Sequence, residues 1–354
     1  MNAINGDVGT QRRTTLTLSL VIVLLMIAAL IAVLVGSETN RTRPAPLGGL
    51  AYLAGGDLYV AGPGGESPRL VWDLPATTTE DTSVGLWWLD TETLLLHSWI
   101  SPVDGVSVVN VISGSHRLLD TGDVVALSPD RRVVAVHAAD LRVRLIEIAT
   151  GAVVGDIPGM VRGYPAVWSP DGLFFLSESP ETIDRTDVAT GEITVLASAL
   201  CCGLSSHHPT WSPDGTRVVY VDYHLPIDFN TDCHDRCGTL WSVPVAVGAP
   251  IRITAELGSE TLPAFSSDGR WIAYIEENMY GIVQRDDLAV IAADGSGRRL
   301  LTPKSEIRTF AWDPDSGGLL YLRFDGSLWH ITLDGVAARI GTPAMSEFAR
   351  QVVP

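Results

Sequence analysis

Four cysteines fall into two short stretches of the chain, each with histidine or aspartate close by. Cys201-Cys202 precede His207-His208, and Asp228, Asp232, Cys233, His234 and Cys237 follow soon after. Two chemistries are open to thiols and imidazoles in such company. In an oxidising compartment the thiols close disulfides, each worth ~2–4 kcal/mol through restriction of the unfolded chain. As thiolate and neutral imidazole, the same groups bind zinc or copper. Adjacent cysteines make poor joint ligands for one tetrahedral ion, and the Cys233-x3-Cys237 spacing is not that of the usual zinc knuckle. Two bridges between the pairs, and no metal, are therefore expected. A vicinal Cys201–Cys202 bridge and a metal site remain the alternatives.

Other reactive groups are scarce. Lys304 is the sole lysine, which removes Schiff-base and Walker-type lysine chemistry almost everywhere. There is no Gly-x-Ser-x-Gly nucleophile elbow and no unassigned stretch long enough for an α/β-hydrolase domain. His97, His137 and His330 stand alone on predicted strands, as hydrogen-bonded structural residues do. Five acids recur at intervals, Asp130, Asp171, Asp214, Asp268 and Asp315, but each holds the same place in a turn, which makes them structural. No catalytic residue and no cofactor is expected.

Those turns define the elements that must carry the site. Val167-Trp168-Ser169-Pro170-Asp171-Gly172 and Thr210-Trp211-Ser212-Pro213-Asp214-Gly215 are the strongest copies. Weaker ones centre on Phe265 with Asp268, Trp312 with Asp315, Leu127 with Asp130, and Trp88 with Asp90. Ser, Pro and Gly occupy their type I turn positions, and the aromatic before the turn offers a large surface to pack between sheets. Glycine-containing hairpin turns at Gly65, Gly114, Gly151, Gly191, Gly248, Gly295 and Gly335 alternate with them. The combined period, roughly 40 residues, is that of a four-stranded propeller blade. The expected fold is all-β: a β-propeller of seven four-stranded blades over residues 49–354. Its first blade lacks an innermost strand, and the C-terminal run Phe348 to Val353 is expected to supply it, closing the ring.

The Trp-Ser-Pro-Asp-Gly copies, each followed by a strand, resemble the TolB-like propeller repeat, a relative of WD-type repeats. The resemblance runs from about Leu50 to the C-terminus and is strongest around Trp168, Trp211 and Phe265. It implies a propeller whose faces bind protein or small partners. No α/β domain is read between residue 36 and the repeats, so the resemblance is to the repeat and does not identify the chain with TolB itself.

Leu16 to Val35 is an uncharged apolar run, and about 20 such residues span the ~30 Å hydrocarbon core of a bilayer. Arg12 and Arg13 before it favour a cytoplasmic N-terminus. Residues 1–14 thus read as a short cytoplasmic tail, 15–36 as an uncleaved transmembrane signal-anchor and 37–48 as a Pro/Gly-rich linker. A cleaved signal peptide is the rival. The propeller would then lie in the periplasm or outside the cell, where disulfides form. With 24 basic against 41 acidic residues the net charge is -17, which repels nucleic acid. The expected function is non-catalytic binding or scaffolding of a protein or small ligand. The binding surface is expected on the face carrying His207, His208, Asp228, Asp232 and His234, with the neighbouring loop Glu276 to Asp287. A hydrolase or lyase working at the central channel, or a metal-binding protein, is the alternative.

Overall fold

A computed structural model of the chain describes residues 49–73, 84–98, 105–137, 142–157, 166–178, 181–198, 207–224, 237–246, 248–254, 260–280, 283–303, 305–341, 344–345 and 347–350. The expected tail, anchor and linker lie outside these residues. Every regular element among them is a strand, and the strands form seven separate four-stranded antiparallel sheets: a seven-bladed β-propeller.

Strands a to d of each blade follow in sequence from blade 2 onward. Blade 2 holds Val84–Trp88, Thr93–Ser98, Gly105–Asn110 and His116–Asp120; blade 3 holds Asp123–Leu127, Val133–His137, Val143–Glu147 and Val153–Ile157. Blade 4 is built from Val167–Trp168, Phe174–Glu178, Thr182–Asp187 and Ile193–Ser198. Blade 5 has Thr210–Trp211, Arg217–His224, Cys237–Pro244 and Ile251–Arg252; blade 6 has Glu260–Phe265, Trp271–Tyr280, Val283–Ala292 and Arg299–Leu300. Ile307–Trp312, Gly318–Arg323, Leu328–Thr332 and Ala337–Arg339 make blade 7. Blade 1 is composite. Its strands b, c and d are Leu50–Ala54, Asp57–Ala61 and Arg69–Trp72, and its strand a is the C-terminal Glu347–Arg350.

That closing strand pairs Tyr52 with Phe348 and Leu53 with Glu347. Phe348 is buried in a cluster with Leu50, Tyr52, Leu320, Leu322 and Met345, so both the seam and the adjoining blade 7 bury its ring. The strand begins one residue earlier than the sequence suggests and is described as far as Arg350.

Middle strands are covered on both faces by neighbouring blades, and their sequences are correspondingly apolar without alternation, as in Leu94-Leu95-Leu96. Strands d form the outer rim: Ile251–Arg252, Arg299–Leu300 and Ala337–Arg339 are exposed throughout. The core is therefore a ring of inter-blade layers. Val219, Val221 and Leu240 of blade 5, for example, pack on Ile272, Tyr274 and Ala289 of blade 6.

The repeated turn is built by hydrogen bonds within the motif. In blade 5 the Ser212 hydroxyl donates to Asp214 Oδ1 at 2.6 Å and accepts the Arg217 N–H at 3.0 Å, while the Thr216 N–H donates to the same carboxylate at 3.0 Å. Blades 3, 4 and 6 repeat the arrangement with Ser128–Asp130, Ser169–Asp171 and Ser266–Asp268. In blade 7 Asp315 accepts the Gly317 N–H at 3.0 Å, and Asp313 replaces the serine and pairs with His330 Nε2 at 2.7 Å. The motif tryptophans add a bond between blades: the Trp211 indole N–H donates to Val167 O at 3.1 Å and that of Trp312 to Ala264 O at 3.0 Å. Trp168 instead bonds Gly172 O within its own turn, and Phe265 has no donor to offer.

Candidate functional site

Strands b end and strands c begin at one end of every blade, which is also where strands a start. At that end two neighbouring blades are lengthened. Strands b and c of blade 5 are eight residues each and those of blade 6 ten, against five or six in the same strands of the other blades. The stretch Glu276 to Asp287, expected as a loop, continues the ladder: Glu276 faces Asp287, Glu277 faces Asp286, and the pairing runs out to Tyr280 and Val283. Blade 5 does the same on a smaller scale, with Asp222 opposite Thr239 and His224 opposite Cys237.

Between these hairpins and blade 4 sits a cluster of buried polar side chains. His207, at the entry to strand a of blade 5, is 1% exposed. Its backbone N–H donates to Glu178 Oε2 of blade 4 at 2.7 Å, and its Nδ1 lies 2.8 Å from Val221 O of blade 5. One residue thus ties two blades together. Its ring sits 5.9 Å from that of Tyr223. The next residue, His208, has a left-handed backbone (φ 46), uncommon for a residue other than glycine. Burial, then the neighbouring His207, pushes its imidazole down to about 4, so it is neutral near pH 7.

On the far side of blade 5, strand a of blade 6 opens with Glu260, 4% exposed. Glu260 stands opposite Glu276. Glu276 in turn pairs with Arg298, whose Nε donates to the Tyr274 hydroxyl at 3.1 Å. Burial first, and then Glu276, push the Glu260 carboxyl up to about 7 against the pull of hydrogen bonds and of Arg298. The close approach of blades 5 and 6 here requires Gly238: a Cβ there would stand 2.6 Å from Glu260 O. Leu262, two residues on, is also left-handed (φ 51).

Of the residues singled out by sequence, His207 and His208 belong to this cluster. Asp228, Asp232, His234, Cys201, Cys202 and Cys233 lie outside the described residues, and Cys237 is placed only as the first residue of strand c. Among the described residues, no three of His, Cys, Asp and Glu stand together as metal ligands would. The turn acids Asp130, Asp171, Asp214, Asp268 and Asp315 lie at the opposite end of the blades. There, Ser212, Asp214, Arg217, Phe265 and Asp268 line a shallow cavity of about 230 Å³ between blades 5 and 6. Glu178, Tyr223, Glu260 and Arg298 were not legible as site residues. The one available signal was a carboxylate ending the apolar run Phe174-Phe175-Leu176-Ser177-Glu178. A second polar contact lies at the same end of blades 2 and 3, where His97 Nε2 is 3.6 Å from Asp123 Oδ1.

No family model matches the chain, and no curated protein matches it. Solved structures do. An oligogalacturonate lyase in complex with manganese is 16% identical, with 84% of this chain and 85% of that one covered and a TM-score of 0.57. The dihydro-heme d1 dehydrogenase NirN in complex with DHE is 14% identical over 88% and 77% of the chains, with a TM-score of 0.55. TolB from Acinetobacter baumannii is 19% identical over 74% and 65%, with a TM-score of 0.46. At such identities the likeness to the lyase and to NirN is one of fold, shared by proteins of different activity: the chain is a seven-bladed propeller.

Proposed function

We propose that this chain is a non-catalytic binding or scaffolding propeller, held at the outer side of a membrane by the helix 15–36. Its recognition surface is the end of blades 4 to 6 built around His207, His208 and the two long hairpins. The observation that carries this reading is the pair of lengthened b–c hairpins on adjacent blades. Recognition usually resides on segments that project from a rigid scaffold, and paired strands hold such segments at low entropic cost. The uncharged run Leu16 to Val35 supports the anchor. The net charge of -17 supports a cationic or neutral partner over nucleic acid. The test is capture of partners by the full-length chain from solubilised membranes, compared with the double variant Glu277→Ala, Asp286→Ala in the blade 6 hairpin. Loss of capture is expected; undiminished capture would place the surface elsewhere.

The second reading is a lyase or hydrolase, and the His97–Asp123 contact favours it, because an imidazole beside a carboxylate is the pairing that general acid–base chemistry uses. Purified full-length chain screened with manganese against oligogalacturonates and other glycoside and ester substrates separates the two readings. Turnover that disappears in His97→Ala would establish the enzyme and displace the binding reading.

A further inference from the structure

One face of blade 4 carries three oxygen-bearing side chains at neighbouring positions. Ser177 in strand b stands directly opposite Asp184 in strand c, and Phe175 directly opposite Thr186. Opposed residues of an antiparallel pair point the same way, as do residues two apart on a strand. Ser177, Asp184 and Thr186 therefore project from the face that carries Phe175. That face packs on blade 3, where Phe175 meets Ala126, Ala135, Val143 and Ile157.

All three side chains are inside: Ser177 is 1% exposed, Asp184 5% and Thr186 2%. Ser177 Oγ, Asp184 Oδ1 and Thr186 Oγ1 each lack a hydrogen-bond partner among the described residues. The strand's own cation does not answer Asp184. Arg185 points to the other face, its guanidinium 4.5 Å from the Phe174 ring centre, with Nη1 3.5 Å from Val245 O and Nη2 3.4 Å from Thr194 Oγ1. Buried polar atoms are almost always satisfied, and a carboxylate against an apolar wall is costly without a counter-charge.

We propose that Ser177, Asp184 and Thr186 form an internal alkali-cation site, taking Na⁺, in the wall between blades 3 and 4. The donors are a carboxylate and two hydroxyls, hard oxygens with no nitrogen or sulfur among them, which excludes a zinc or copper preference. They bring one negative charge, which a monovalent ion neutralises. A divalent ion would leave a positive charge in the same apolar surroundings, and calcium takes more oxygens. Directly opposed side chains have Cβ atoms about 5 Å apart and diagonal ones about 7 Å, distances one ion can bridge. The placement matters to the candidate surface. Glu178, which follows Ser177, holds the His207 N–H at 2.7 Å, so an ion in this wall braces the strand that positions His207.

The test uses the full-length chain and follows its urea unfolding midpoint in sodium chloride and in choline chloride at equal ionic strength. A ligand that binds only the folded state raises the midpoint with its concentration. The wild type is expected to gain stability with Na⁺, and Asp184→Asn to lose that dependence. Ser177→Ala, a milder change that keeps the test alive should Asp184→Asn not fold, is expected to need about tenfold more Na⁺ for the same gain. Equal wild-type midpoints in the two salts would overturn the site, as would a Na⁺ dependence that persists unchanged in either variant.

Discussion

Replacing Glu260 by Gln isolates the electrostatic cost of the blade 5–6 junction. Glu260 is 4% exposed and its pKa is pushed up to about 7 from the usual 4.5, chiefly by burial. A folded value above the unfolded one favours the protonated form in the native state. The resulting stability is fully present below about 4.5 and is lost as pH rises through about 7. At about 1.4 kcal/mol per pH unit of separation, the loss comes to about 3 kcal/mol between pH 4 and pH 8. Gln keeps the shape and cannot ionise, so Glu260→Gln should lack this decline. His208, held at about 4, titrates in the same range with the opposite sign, but both proteins carry it and it cancels in their difference. The assay is urea unfolding of wild type and variant at each pH unit from 4 to 8, read as the difference between the two curves. That difference should grow in favour of the variant by about 3 kcal/mol across the range. A pH-independent difference would refute the placement of Glu260 as a buried, desolvated carboxyl.

Three further outcomes follow from the packing and the turns. Phe348→Ala removes the ring that seals the seam between Tyr52 and Leu320, so it should cost about 3–5 kcal/mol and speed proteolysis; unchanged resistance would argue against C-terminal closure. Ser212→Ala leaves the Arg217 N–H without its Oγ acceptor and Asp214 without its 2.6 Å donor, a loss of about 1–3 kcal/mol of unfolding free energy, read from urea unfolding. Trp312→Phe keeps most of the apolar surface but strips the Ala264 carbonyl of its indole donor, which should cost about 1 kcal/mol, whereas Trp168→Phe should break no hydrogen bond between blades.

The ring of blades was readable because its grammar is local. Ser, Pro, Asp and Gly at fixed offsets specify a turn from within six residues, and the hydroxyl–carboxylate bond of Ser212 and Asp214 is that specification made visible. Blade number and the closing strand followed from counting strands. The long hairpin of blade 6 did not, because Glu276-Glu277-Asn278 and Arg285-Asp286-Asp287 are polar enough to read as loop. Their pairing is set by the ladder that precedes them, not by their own preferences. Nor could burial of Glu260 be foreseen. Its surroundings come from Gly238 of the neighbouring blade, and a carboxylate before Thr-Leu-Pro gives no hint of that neighbour. His207 stood out for its company of cysteines, yet its described partners are Glu178 and Val221, from two different blades.

The central claim, recognition through the long-hairpin end of blades 4 to 6, is tested most directly by hydrogen–deuterium exchange of the full-length chain with and without a partner captured by it. The account predicts new protection in strands Arg217–His224 and Cys237–Pro244 and in the hairpin Trp271–Tyr280 with Val283–Ala292. Protection confined to the Ser-Pro-Asp-Gly turns at the opposite end, or to the outer strands d, would contradict it.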